Sequence, residues 1–134
     1  MVAQGNGRGR IVVDDRDRRS YLERFRLEAA ERDWAIHAAS LLDTHHHVVL
    51  TTAEPDLGVG MGHVIGGHAA WFNTRHERQG AVFAERFWSR RADVHVVRAS
   101  IYSLVNPVAA GLVDHPRSWP WSNYREIQER GCTP

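Results

Sequence analysis

The sequence predicts one α+β domain in which an antiparallel pair of strands is packed by helices. The chain has 134 residues, room for a single core, because domains commonly run to about 100–150 residues. Apolar residues recur at helical spacing in separate stretches along it. Between the first and second of these stretches lie two alternating segments joined by a short polar turn, the mark of a β-hairpin.

Each element follows in order. Gly5 to Arg10 is rich in Gly and Arg and reads as a loop, and Ile11 to Val13 as the end of a short strand. Asp14 and Asp15 signal the start of a first helix, in which Tyr21, Leu22, Phe25 and Ala29 keep helical spacing to about Arg32. Trp34, Ile36 and Ala38 alternate as far as Leu42, Asp43 and Thr44 turn the chain, and His45 to Thr52 is the return strand. Glu54, Pro55 and Asp56 precede a second helix carrying Leu57, Met61, Val64, Ile65, His68 and Phe72 to about Arg75. Its glycines each cost roughly 0.8–1 kcal/mol against Ala in a helix interior, so close packing or bending is expected there. They do not form a phosphate-cradling loop, because neither GxxxxGK[ST] nor GxGxxG follows a strand. An Arg-rich connection, with a strand expected near Arg86 to Arg90, leads to a third helix from about Asp93 to Val105. Pro107 is expected to stop that helix. Trp119, Pro120, Trp121 and Tyr124 read as a closing aromatic clasp, and residues 126–134 as a flexible tail.

Composition narrows the function classes. A hydrophobic fraction of 43% with 25% charged residues is ordinary for a soluble domain, and no apolar run is long enough to span a bilayer. No secretory signal is visible and the single Cys132 cannot form an intramolecular disulfide, so a cytoplasmic, non-membrane protein is expected. Net charge is +1, too small to announce a nucleic-acid ligand by itself. The distribution is more informative. All 17 basic residues are Arg, and Arg75, Arg78, Arg86, Arg90, Arg91 and Arg98 cluster with Phe83, Phe87 and Trp88 interleaved. Arginines and flat rings in one segment suit phosphate contact and base stacking.

Two short patterns carry chemistry. In a strand, His45 and His47 project from one face, about 7 Å apart, and His46 from the other with Val48 and Leu50. Two imidazoles so placed can converge on one metal ion, although histidines in this pattern also serve as exposed or core residues. On the third helix, Tyr102 and Asn106 are four residues apart and share a face, so a phenol and an amide oxygen point together. Taken singly, Asn106 also suits a helix end before proline, and Tyr102 a packed aromatic.

Taken together, these residues resemble a known family. His45-His46-His47, the run from Phe72-Asn73 through Arg75-His76, Arg78, Gly80, Phe83 and Arg86-Phe87, then Tyr102 with Asn106-Pro107-Val108 and Gly111-Leu112-Val113, are similar to the REP-associated tyrosine transposases, within the single-tyrosine HUH insertion-sequence transposases. Pro120-Trp121-Ser122 and Tyr124-Arg125 extend the likeness, which covers roughly Gly5 to Arg125. The resemblance implies a ferredoxin-like antiparallel sheet with helices packed on one face. It implies a metal-dependent endonuclease and strand transferase acting on single-stranded or hairpin DNA through a 5′-phosphotyrosine. Tyr102 is then the nucleophile, His45, His47 and Asn106 the ligands of Mg²⁺ or Mn²⁺, and Arg75, Arg78, Arg86, Arg90, Arg91 and Arg98 the DNA contacts, in a monomer or homodimer. A phenol is protonated at neutral pH, so the cation must help by favouring the charged form and polarising the phosphate. The chain departs from the pattern at His46, where a hydrophobic residue is usual, and at Asp43-Thr44, where Pro-Asn is usual. Only Met1 to Gln4 precede Gly5-Asn6, so the first strand is expected to be truncated. The competing readings are a catalytically inactive, truncated DNA-binding remnant of such a transposase and a small His-metal hydrolase unrelated to DNA.

Overall fold

The computed structural model describes residues 1–84 and 87–131. It contains the strands β1 (Val2–Gln4), β2 (Ala35–Leu41) and β3 (His45–Thr51), and the helices α1 (Asp15–Glu31), α2 (Leu57–Arg75), α3 (Val96–Ala109) and α4 (Tyr124–Gly131). The α+β class and the helix, hairpin, helix, helix order of the sequence reading hold. The strands form an antiparallel sheet in the order β1-β3-β2. Short β1 lies inside it, because Phe83 and Trp88 bridge its far side while Ser122 bridges the outer side of β2. Of the strand expected near Arg86 to Arg90, the described residues show only the isolated bridge at Trp88; Arg86 itself lies outside the described residues.

Local chemistry accounts for the helix ends. Asp14 caps α1 by accepting from the Asp17 amide. Asp56 precedes α2, yet its carboxylate accepts from Trp34 Nε1 and Arg32 instead of from the helix. Gly60 explains one of the helix's glycines, since a Cβ there would come within 2.5 Å of the Trp34 ring. Pro107 does not stop α3, which continues to Ala109. A proline near the end of a helix removes a single ladder bond, and its ring here is buried. Gly111, at φ +75°, ends the helix: the Gly111 and Leu112 amides donate to the Val108 and Pro107 carbonyls in a Schellman arrangement. The stretch expected as a tail begins as α4, whose first amide, at Tyr124, donates to Ser122 Oγ; Cys132 is outside the described residues.

The antiparallel sheet with packed helices that the resemblance implies is present. Helices lie against both of its faces. Tyr21 and Phe25 of α1 set their rings edge-on against His46, and α2 packs on α1 to enclose Ile11, Met61, Val64, Phe72 and Phe83. On the opposite face α3 crosses β2 and β3. The physical reason lies in the register. Ala38 and Ser40 of β2 oppose Val49 and His47 on that face, and their small side chains let the buried residues Leu104 and Pro107 of α3 approach closely. Among the described residues, no helix is long and apolar enough to cross a membrane.

Candidate active site

The three histidines of β3 divide by alternation. His46 lies opposite Ala3 and Leu41 and is fully buried. The sequence placed it on the face of Val48 and Leu50, and the Tyr21 hydroxyl shares a 2.7 Å hydrogen bond with its Nδ1. Burial, reinforced by the charges of His47, the chain amino terminus and His45, lowers its pKa to about 3, which keeps it neutral.

His45 and His47 emerge on the α3 face, and that helix brings Asn106 and Tyr102 to them. His45 Nε2 donates to Asn106 Oδ1 at 3.0 Å, while its Nδ1 accepts from Thr44 Oγ1 at 2.9 Å. The His47 ring stands edge-on to both neighbours, its centroid 4.7 Å from that of His45 and 5.9 Å from that of Tyr102. Burial first, then the charges of His45 and the amino terminus, lowers the His47 pKa to about 4. Tyr102 is 62% exposed, so its hydroxyl is accessible to a large ligand. A cavity of about 360 Å³ is bounded by His45, His47, Tyr102 and Asn106 together with Val2, Gln4, Ala109 and Ala110.

Two imidazole nitrogens and one amide oxygen form a donor set that would accept a divalent cation, Zn²⁺ or Ni²⁺ as well as Mn²⁺ or Mg²⁺. A metal ligand must be a neutral imidazole, the form in which His47 is held. His45 Nε2 and Asn106 Oδ1 meet at 3.0 Å and would be two of the ion's ligands. Moving the His45 proton from Nε2 to Nδ1 frees Nε2 for the ion and turns the Thr44 contact into a donated bond, a common way to orient a ligating histidine. Among the described residues, no cluster of three or more His, Cys, Asp or Glu side chains could hold a metal ion.

The arginines of the expected DNA surface separate. Arg75 is committed to Asp14 and Asp17, with NH1 and NH2 on the two Asp14 oxygens at 2.7 and 2.8 Å. Two carboxylates thus occupy the guanidinium fork. Arg78 bonds Asn73 and lies over the Phe72 ring, on the α2 side of the sheet and away from the cavity. Arg90, Arg91 and Arg98 are exposed, and Arg98 sits one helical turn before Tyr102. Arg91 meets Asp93 at 3.3 Å and is 89% exposed, a pairing too solvated to bar a phosphate.

The sequence reading missed Val2, Gln4, Thr44, Ala109 and Ala110 as parts of the site. Gln4 reaches it because β1 pairs Gln4 with His45, a register that no local pattern announces. Thr44 is the exception, since its adjacency to His45 was open to view.

No protein-family model and no curated protein matches the chain. Its fold is that of a solved REP-associated tyrosine transposase bound to a REP hairpin, with a TM-score of 0.77, over 99% of this chain and 79% of that one. Sequence identity is 19%, and the likeness is one of fold.

Proposed function

We propose that this chain, which has the fold of a REP-associated tyrosine transposase, is a metal-dependent endonuclease and strand transferase for single-stranded or hairpin-flanking DNA. One observation carries the reading: a phenol on α3 stands beside two imidazoles of β3, and the amide oxygen one helical turn away meets the first of them at 3.0 Å. Tyr102 Oη attacks a DNA phosphorus in line, the bond to the 3′-oxygen breaks, and that oxygen takes up a proton. The products are a 5′-phosphotyrosine and a free 3′-hydroxyl, and a later 3′-hydroxyl reverses the exchange with no input of bond energy. His45, His47 and Asn106 would hold Mg²⁺ or Mn²⁺, which supplies Lewis-acid polarisation of the phosphate and favours the phenolate. His47 is kept neutral for this by burial. His45 is oriented by Thr44. The rigid β3-α3 contact holds the nucleophile near the site before substrate arrives, which is the main contribution a protein makes to phosphoryl transfer.

The test is covalent capture. Wild-type protein incubated with single-stranded oligonucleotides and Mn²⁺ should yield an adduct stable to denaturing electrophoresis. Tyr102→Phe should yield none while still binding the uncut strand. An adduct that survives in Tyr102→Phe would move the nucleophile elsewhere, and the absence of any adduct with wild type would favour the DNA-binding remnant.

A further inference from the structure

Apart from Tyr102 at the candidate site, the large rings among the described residues are covered or engaged, with one marked departure. Phe83 is buried and Phe87 packs partly buried on the core. Trp34 and Trp119 place their indole N–H groups on Asp56 and on the Leu41 carbonyl, and arginines lie over Trp71 and Trp121. Trp88 is 58% exposed.

Backbone pairing fixes where Trp88 stands. The Val2 amide donates to the Trp88 carbonyl at 2.7 Å and the Trp88 amide to the Val2 carbonyl at 2.8 Å, a hydrogen-bonded antiparallel pair. Val2 in turn lies opposite His47. Directly opposed residues of an antiparallel sheet project to the same face, so His47, Val2 and Trp88 form a row on the face that Tyr102 occupies. With strands about 4.8 Å apart, Trp88 stands about 10 Å from His47. Val2, which lines the cavity, is the step between them. Past Trp88 the chain presents exposed Arg90 and Arg91, and the next helix presents Arg98. A flat apolar ring followed by exposed guanidinium groups suits a ligand that is itself flat, apolar and joined to anions.

We infer that Trp88 is the stacking platform for a nucleobase next to the phosphate held at His47 and Tyr102. The inference rests on the DNA reading above and adds to it a subsite for a base. Stacking is indifferent to base identity, so the platform positions the strand along the row without reading its sequence.

Fluorescence anisotropy with a dye-labelled oligothymidylate of about 16 nucleotides, the upper reach of a small single-strand-binding domain, tests it. Trp88→Leu keeps an apolar side chain and removes the π face; affinity should fall about 5- to 100-fold. The slope of affinity against salt should not change, because no phosphate contact is lost. Trp88→Phe should keep most of the affinity, and the oligonucleotide should quench its tryptophan fluorescence less than that of wild type. Trp88→Leu binding as tightly as wild type overturns the platform. Equal quenching in wild type and Trp88→Phe also overturns it, and this arm decides even if Trp88→Leu does not fold. Wild type that binds with a Trp88-dependent affinity but forms no covalent adduct sinks strand transfer and leaves the platform standing. Wild type that does not bind the oligonucleotide sinks both.

Discussion

His46 and His47 are neighbours in the chain and both are held neutral by burial, yet they face opposite sides of the sheet and meet different partners. His46 is closed in by Tyr21 and Phe25, whereas His47 opens on a cavity with His45 and Asn106 at hand. A cation that binds only the folded chain adds RT ln(1 + [L]/Kd), about 2.7 kcal/mol at a hundredfold excess over Kd. Thermal melts in Mn²⁺ should therefore rise for wild type and stay level for the His45→Ala, His47→Ala double variant. An equal rise in both would place the metal elsewhere. Tyr102→Phe, used for covalent capture, should leave the melt within about 1 kcal/mol, because the hydroxyl removed is on an exposed side chain and no buried partner is left unpaired.

At the scale of elements, the core is fastened where helices meet. Fully buried Asp17 accepts from the Val13 amide, Arg75 and His76, which ties the start of α1 to the end of α2. Hydrogen bonds from Arg75 hold the neighbouring Asp14 carboxyl well below the usual range. Midway along α2, His68 Nε2 donates to the Ile11 carbonyl at 2.6 Å. Burial is the main cause that lowers its pKa from 6.5, outweighing the opposing Ile11 bond and Asp17, with Arg24 and His76 adding smaller lowering effects. Above about pH 6.5 the imidazole is neutral in both folded and unfolded chains, and its contribution to stability is complete. As pH falls below that value the unfolded chain binds a proton that the folded chain resists, and stability drops by up to about 1.4 kcal/mol per pH unit. His68→Gln retains an N–H donor without titrating. Its loss of melting temperature between about pH 7 and about pH 5 should be smaller than that of wild type. His46 and His47 shift in the same direction, so the slope should shrink and not vanish. An unchanged slope would mean that His68 takes up its proton without cost.

For the whole molecule, a net charge of +1 conceals a division of labour among the arginines. Those at the junction of α1 and α2 are spent on internal carboxylates, as Arg18 is on Asp15 and Asp43 and Arg75 on Asp14 and Asp17. Arg90, Arg91 and Arg98 remain exposed. Each phosphate contact on a single strand contributes about 0.7 to the slope of log affinity against log salt, so replacing all three with Ala should reduce that slope by about 2. Arg75→Ala should instead lower the melting temperature and leave the slope alone. The reverse pattern would put the backbone contacts at the junction of α1 and α2.

Helix spacing and cap residues placed α1 and α2 almost to the residue, and strand alternation turned His46 inward and His45 and His47 outward, because those properties depend on neighbours along the chain. The pairing of Tyr102 with Asn106 was legible for the same reason, whereas the end of α3 at Gly111 was not, because Pro107 reads locally as the stop. Other features depend on residues far apart in sequence. His45 and Asn106 are 61 positions apart, Arg75 and Asp14 likewise 61, and Trp88 enters the site row only through its pairing with Val2. Periodicity says which side of an element is apolar, but not which face of the sheet that element will cover. Packing of the assembled chain decided that α3 crosses the His45 face, that Arg75 is held by carboxylates, and that Trp88 stands in line with His47, since each outcome requires side chains and backbone bonds that meet only after the sheet has formed.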